Sequence, residues 1–203
     1  MEDTRRLLLF DLGGVLIEYT GFESINALLS QEMTADQLRA HWDSTDIGVK
    51  FETGAITAAQ FGDAFVRHWH LKVTAEVFLT EFRSWTSCLF PGAVELLAEL
   101  RPRYRLAALS NSNALHWDRN NKELGVDALF ERAFSSHEVG MRKPDPAFYR
   151  HALHALAVGP PEVVFFDDVF INVEAARGLG IEAHQVVGVD GLRACLLELG
   201  ILV

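Results

Sequence analysis

The sequence predicts an α/β fold, a doubly wound parallel sheet with a small helical bundle inserted near its start. Three observations carry this. Leu7–Phe10 and Val163–Phe166 are unbroken apolar runs that each end at a carboxylate, the texture of strands buried on both faces. From Pro91 onward, apolar strands alternate with helical patterns, as parallel strands joined by crossover helices require. Between Gly21 and Ser84, by contrast, apolar residues recur only at helical spacing. At 203 residues, with 49% hydrophobic and 23% charged side chains, the chain suffices for one core plus such an insert but not for two full-size domains.

The first strand, Leu7–Phe10, runs into Asp11-Leu12-Gly13-Gly14. An Asp before glycine often does no more than mark a turn. Ligands of open parallel sheets, however, bind beyond the carboxyl ends of the strands, which is where Asp11 falls. The helical block follows, with Phe22, Ile25, Leu28 and Leu29 on one face, then Leu38 and Trp42, then Phe61, Phe65 and Trp69, then Val77, Phe78 and Phe82. Thr34 with Gln37 and Thr57 with Gln60 have capping-box spacing and should open helices. This divides the chain into a core of residues 1–17 and 87–203 and a helical bundle of residues 18–86.

Within the returning core, Gly92–Leu100 reads as a helix and Leu106–Leu109 as a strand ending at Ser110-Asn111-Ser112-Asn113. Another helix precedes a short strand near Ala133-Phe134. Gly140–Pro146 is a loop entering a helix, with Pro146 placed in its first turn. After Val163–Phe166 come a helix over Asn172–Leu179, a strand over Glu182–Val187 and a closing helix over Leu192–Leu199.

Eighteen basic against 28 acidic residues give a net charge of −10, which argues against nucleic acid or an anionic membrane as a partner. The apolar N-terminal run is interrupted by Asp11 and has no small-residue cleavage site, so it reads as neither a signal peptide nor a membrane span. Cys88 and Cys195 provide no disulfide framework or metal-ligand pair and are expected to be buried packing residues, as suits a cytoplasmic protein. Monomer and homodimer both remain open.

Three strands thus end in polar clusters: Asp11, Ser110 with Asn111, and Asp167 with Asp168. Lys143 stands on a loop between the second and third. Singly, such residues cap helices or lie in solvent. Gathered on one sheet edge, three carboxylates would raise one another's pKa unless a cation lay among them. Oxygen donors without His or Cys favour a hard ion, and Mg²⁺ fits best, which would also let an acidic protein hold an anion.

Phe10-Asp11-Leu12-Gly13-Gly14-Val15, Leu109-Ser110-Asn111, Met141-Arg142-Lys143-Pro144 and Phe166-Asp167-Asp168 resemble the four ordered motifs of the haloacid dehalogenase (HAD) superfamily, and the helical insert sits where that superfamily places its C1 cap. Within it, the chain is similar to the subgroup of α-glucose-1-phosphate phosphatases and the phosphatase domain of soluble epoxide hydrolase. The resemblance implies a Rossmann-like core and phosphoryl transfer from a small phosphorylated metabolite such as a sugar phosphate. Asp11 would be the nucleophile, forming an aspartyl phosphate. Ser110 and the Asn111 amide would hold phosphoryl oxygens, and Lys143 would neutralise charge. Mg²⁺ would be held by Asp11, the Gly13 carbonyl and Asp168, with Asp167 and Asn172 orienting metal-bound water.

One position departs from the pattern. HAD phosphatases usually carry a second Asp two residues after the nucleophile as general acid and base, and here that residue is Gly13. A positioned acid contributes roughly 10²–10⁴-fold, so another group must supply the proton or the leaving group must need little help, as an anomeric sugar oxygen would. Glu18, His41, His68 and His70 are the candidates, although a hinge or surface role suits each equally well. Haloacid dehalogenases also lack the second Asp, but they work without metal, which leaves the Asp167-Asp168 pair unexplained. A weakened, phosphometabolite-binding member is the other alternative. Trp42, Phe51, Trp69 and Trp85 either line a substrate pocket or form the core of the bundle.

Overall fold

Leu7–Phe10 forms the first strand, β1, with all four side chains buried. Alternation sends Leu8 and Phe10 to one face and Leu7 and Leu9 to the other, and each face meets its own apolar cluster. A computed structural model describes residues 5–202. The chain continues through β2 (Ile17–Tyr19), helices α1 (Gly21–Leu28), α2 (Ala35–Asp43), α3 (Ile47–Glu52), α4 (Ala58–His68) and α5 (Ala75–Arg83), and β3 (Thr86–Leu89). It then alternates through α6 (Ala93–Leu100), β4 (Arg105–Ser110), α7 (Ala114–Lys122), β5 (Arg132–Ser135), α8 (Ser136–Val139), α9 (Pro146–Leu156), β6 (Val163–Asp167), α10 (Phe170–Arg177), β7 (Glu182–Gln185) and α11 (Gly188–Glu198).

The main sheet has the order β5-β4-β1-β6-β7, every pair parallel, so the predicted doubly wound α/β architecture is what forms. β1 lies at the centre. The chain builds outward on one side through β4 and β5, then crosses to the other side for β6 and β7, leaving a switch point beside the end of β1. Residues of α6 and α11 cover the Leu8 and Phe10 face, and residues of α9 and α10 cover the Leu7 and Leu9 face.

The inserted helices have a core of their own, built from Phe61, Phe65, Phe78, Phe82 and Trp85 with Ile25, Leu38 and Phe51. Both capping boxes form. The Thr34 and Thr57 hydroxyls accept from the Gln37 and Gln60 amides, and each glutamine side chain accepts from the threonine N–H in return, at 2.8 and 2.9 Å. The ends of three later elements lie a few residues from the sequence expectation, at Phe170–Arg177, Glu182–Gln185 and Gly188–Glu198.

Two strands went unread in the sequence. β2 and β3 pair antiparallel, with Tyr19 opposite Thr86, at the base of the inserted helices. Runs of three and four residues are too short to display a period-two pattern. Cys88 lies exposed on this ribbon, contrary to the expected burial, because β3 is covered on one face only. Cys195 is half-buried against the core. Among the described residues no helix is long and apolar enough to cross a membrane.

Candidate active site

Parallel register sets the site. β1 pairs with β4 and β6 along its whole length, and the Asp11 N–H continues the ladder by donating to the Phe166 carbonyl at 2.8 Å. Asp11 and Asp167 therefore emerge level at one edge, with Ser110 one residue farther along β4. Asp11 is 8% exposed and Asp167 and Lys143 are fully buried. The Lys143 ammonium lies 2.9 Å from Asp11 Oδ1 and 2.6 Å from Asp167 Oδ2. Burial alone would lower its pKa, but the two carboxylates outweigh that and raise it.

The loop that brings Lys143 inward is clamped to the end of β4. Asn111 Nδ2 donates to the Lys143 carbonyl at 2.9 Å, and the Lys143 N–H donates to Asn111 Oδ1 at 2.8 Å. Asn111 thus uses its side chain to position Lys143. Asp167 accepts from Lys143, from the Val169 N–H at 2.8 Å and from Asn172 Nδ2 at 3.1 Å, so both its oxygens are engaged by protein donors. Asn172 in turn anchors Tyr149, whose hydroxyl donates to the Asn172 carbonyl at 2.8 Å. Asp167 and Asn172 accordingly form a cradle around the lysine.

One oxygen from each of Asp11, Asp167 and Asp168 lies within 4.8 Å of the others. Burial pushes Asp11 up to about 7, with the charges of Asp167 and Asp168 adding to the rise and Lys143 opposing it. Burial, then the Asp167 charge, pushes Asp168 up to about 6. Carboxylates held this close in so dry a place fit a hard divalent cation, whose charge would relieve both shifts. Gly14, at φ +74°, leaves room for this arrangement, since a Cβ there would lie 2.7 Å from Asp168 Cγ.

Asp11, Gly13, Ser110, Asn111 and Asp168 face a cavity of about 360 Å³ that runs up beneath the inserted helices. Trp42 and Trp85 line it, whereas Phe51 and Trp69 are packed in the helical core, Phe51 stacked on Phe61 at 4.4 Å. The four sequence candidates for a proton donor lie elsewhere. Glu18 is exposed and accepts from Ser87 Oγ at 2.6 Å; His41 and His68 stack on each other at 4.3 Å, and His70 sits in an exposed turn. None of the four lines the cavity.

Glu52 does, and sequence reasoning missed it. It ends α3, and its Oε2 lies 3.2 Å from Arg142 Nε without hydrogen-bond geometry for either atom. Burial raises its pKa, opposed by the charges of Arg142 and Lys143. His116, on the same wall, is less suited to giving up a proton. Burial pushes His116 down to about 4, with its ring nitrogens 2.7 Å from the Phe82 carbonyl and 3.0 Å from Asn113 Nδ2.

Against known proteins, residues 6–180 match the family model described as haloacid dehalogenase-like hydrolase. The chain is 28% identical to the sesquiterpene phosphatase astK of Aspergillus oryzae, over 97% of this chain and 96% of that one. It is 23% identical to the D-ribitol-5-phosphate phosphatase of Bacteroides thetaiotaomicron, over 88% and 90% of the two chains. Among solved structures, a HAD family enzyme from B. thetaiotaomicron in complex with magnesium and inorganic phosphate superposes with a TM-score of 0.73 at 27% identity, covering 90% of this chain and 94% of that one.

Proposed function

The chain belongs to the haloacid dehalogenase-like hydrolase family, and on that premise we propose that it is a Mg²⁺-dependent phosphatase of a small phosphomonoester, working through an aspartyl phosphate. The observation that carries this reading is the Asp11, Lys143, Asp167 and Asp168 cluster at the floor of a cavity: a carboxylate beside a bound phosphate is repulsive unless it reacts or holds metal. We take residues 18–86 as a cap and residues 1–17 and 87–203 as the core.

Asp11 attacks phosphorus, forming a P–O bond to its carboxylate as the ester P–O bond breaks. The Leu12 N–H, at 2.7 Å, and Lys143 both hold Asp11 Oδ1, which fixes the plane of the attacking group. Ser110, at the end of β4, and the backbone N–H of Asn111 receive phosphoryl oxygens, and Lys143 offsets their charge. Asp11, the Gly13 carbonyl and Asp168 would hold Mg²⁺, which supplies charge neutralisation for the transferring group. Glu52 gives its proton to the departing oxygen and recovers one from the water that hydrolyses the aspartyl phosphate, releasing inorganic phosphate and restoring Asp11.

Release of inorganic phosphate from a panel of phosphomonoesters, with and without Mg²⁺ and beside Asp11→Asn, tests the reading. Turnover that requires both Mg²⁺ and Asp11 is expected. Turnover that survives either loss, or halide release from 2-haloacids in its place, would reject it.

A further inference from the structure

We infer that the cavity above Asp11 takes the phosphate ester of a compact, largely hydrocarbon alcohol, and not the ester of a polyol; this rests on the phosphatase reading. Its volume of about 360 Å³ lies at the small end of the roughly 300–1,000 Å³ typical of small-molecule sites. Phe22, Ile25, Trp42, Phe61, Phe82 and Trp85 supply its upper wall. Among the described lining residues there is no Lys or Arg, and the inserted helices contribute a single charged one, Glu52. Polyol hydroxyls laid against that apolar wall would give up their hydrogen bonds to water, on the order of tenfold in affinity for each unmatched hydroxyl.

The polar groups of the wall narrow the choice further. Those near His116 are already engaged: its ring nitrogens lie against the Phe82 carbonyl and Asn113, whose own Oδ1 accepts from the Leu115 and His116 N–H groups at 3.1 Å. Trp85 Nε1, Thr86 Oγ1 and Asn120 Oδ1 expose essentially no surface, so although their residues line the cavity these atoms are closed off from a ligand in it.

Three primary-alcohol esters with leaving groups of similar basicity test this: octyl phosphate, ribitol 5-phosphate and glucose 6-phosphate. With the Mg²⁺-loaded enzyme, kcat/KM for octyl phosphate should exceed that for the polyol esters by about tenfold or more. Trp42→Ala should lower kcat/KM for octyl phosphate. Binding to the Asp11→Asn protein, followed by the fluorescence of Trp42 and Trp85, gives a readout independent of turnover. Polyol esters equal to or better than alkyl esters, in turnover or in binding, would overturn the inference while leaving a phosphatase. Selective binding of alkyl esters without turnover of any ester would do the reverse, rejecting the phosphatase and keeping the pocket.

Discussion

Replacing Lys143 with Met removes the one ammonium that touches both Asp11 and Asp167 while keeping most of the side-chain volume. In the native protein it is fully buried, 2.9 Å from one carboxylate and 2.6 Å from the other. Breaking a buried ion pair by deleting one partner costs about 3–5 kcal/mol, because the survivor is left unpaired in a dry site. For a chain of this size 1 kcal/mol corresponds to about 2–4 °C in Tm, so a fall of roughly 6–20 °C is expected without metal. The loss should also depend on pH. Asp11 already stands at about 7 against an ordinary 3.8, so between those values the native state holds a proton that the unfolded chain lacks, and stability falls as pH rises through the window. Removing the cation that opposes this rise strengthens it, so the deficit of Lys143→Met is largest at pH 8 and shrinks toward pH 5. Thermal melts of both proteins in chelator at the two pH values decide the matter. A deficit below about 3 °C at pH 8, or one just as large at pH 5, would show that the lysine does not serve to hold the two carboxyl groups together.

Asp11→Asn should abolish phosphate release yet leave the metal-free Tm at pH 8 no lower than wild type, since burial disfavours the ionised carboxylate that it removes; melting curves would contradict this by a marked fall. Glu52→Gln should cut kcat/KM for an alkyl phosphate by about 10²–10³-fold but that for p-nitrophenyl phosphate by under about tenfold, because nitrophenolate leaves without a proton. Equal losses on the two esters would assign Glu52 a role in shaping the cavity instead. Gly14→Ala places a Cβ against the Asp168 carboxylate at a backbone angle that glycine favours, so the Mg²⁺ concentration giving half-maximal thermal stabilisation should rise by about 10–100-fold. An unchanged Mg²⁺ titration would separate Asp168 from the metal.

The floor of the site was legible because each of its residues stands at a break in texture. Asp11, Ser110 and Asp167 each terminate an apolar run, and parallel register then forces the three breaks to one edge. Lys143 was legible only as a cation beside Arg142 on the intervening loop; that Asn111 would seize its peptide from both sides was not, since nothing local distinguishes that side chain from a helix cap. Glu52 carried no signal at all. It is the last residue of a six-residue helix, and its entry into the cavity depends on how that helix docks over Arg142. Trp42 and Trp69 show the same limit: both belong to the aromatic pattern of the insert, and tertiary packing alone puts one on the cavity wall and the other in the helical core. The short ribbon went unread because its few residues take their pairing from each other and not from a repeating pattern.

That ribbon has a consequence for how such a protein changes over time. The chain departs for the inserted helices at Tyr19 and returns at Thr86, its partner across the strands, and cross-strand neighbours stand only about 4.5–5.5 Å apart. A two-residue turn spans such a gap. The whole helical excursion could therefore be excised, shortened or exchanged for another while β1, β4 and β6 keep their register, so that a lineage is free to trade one molecular preference for another without rewriting the chemistry beneath it.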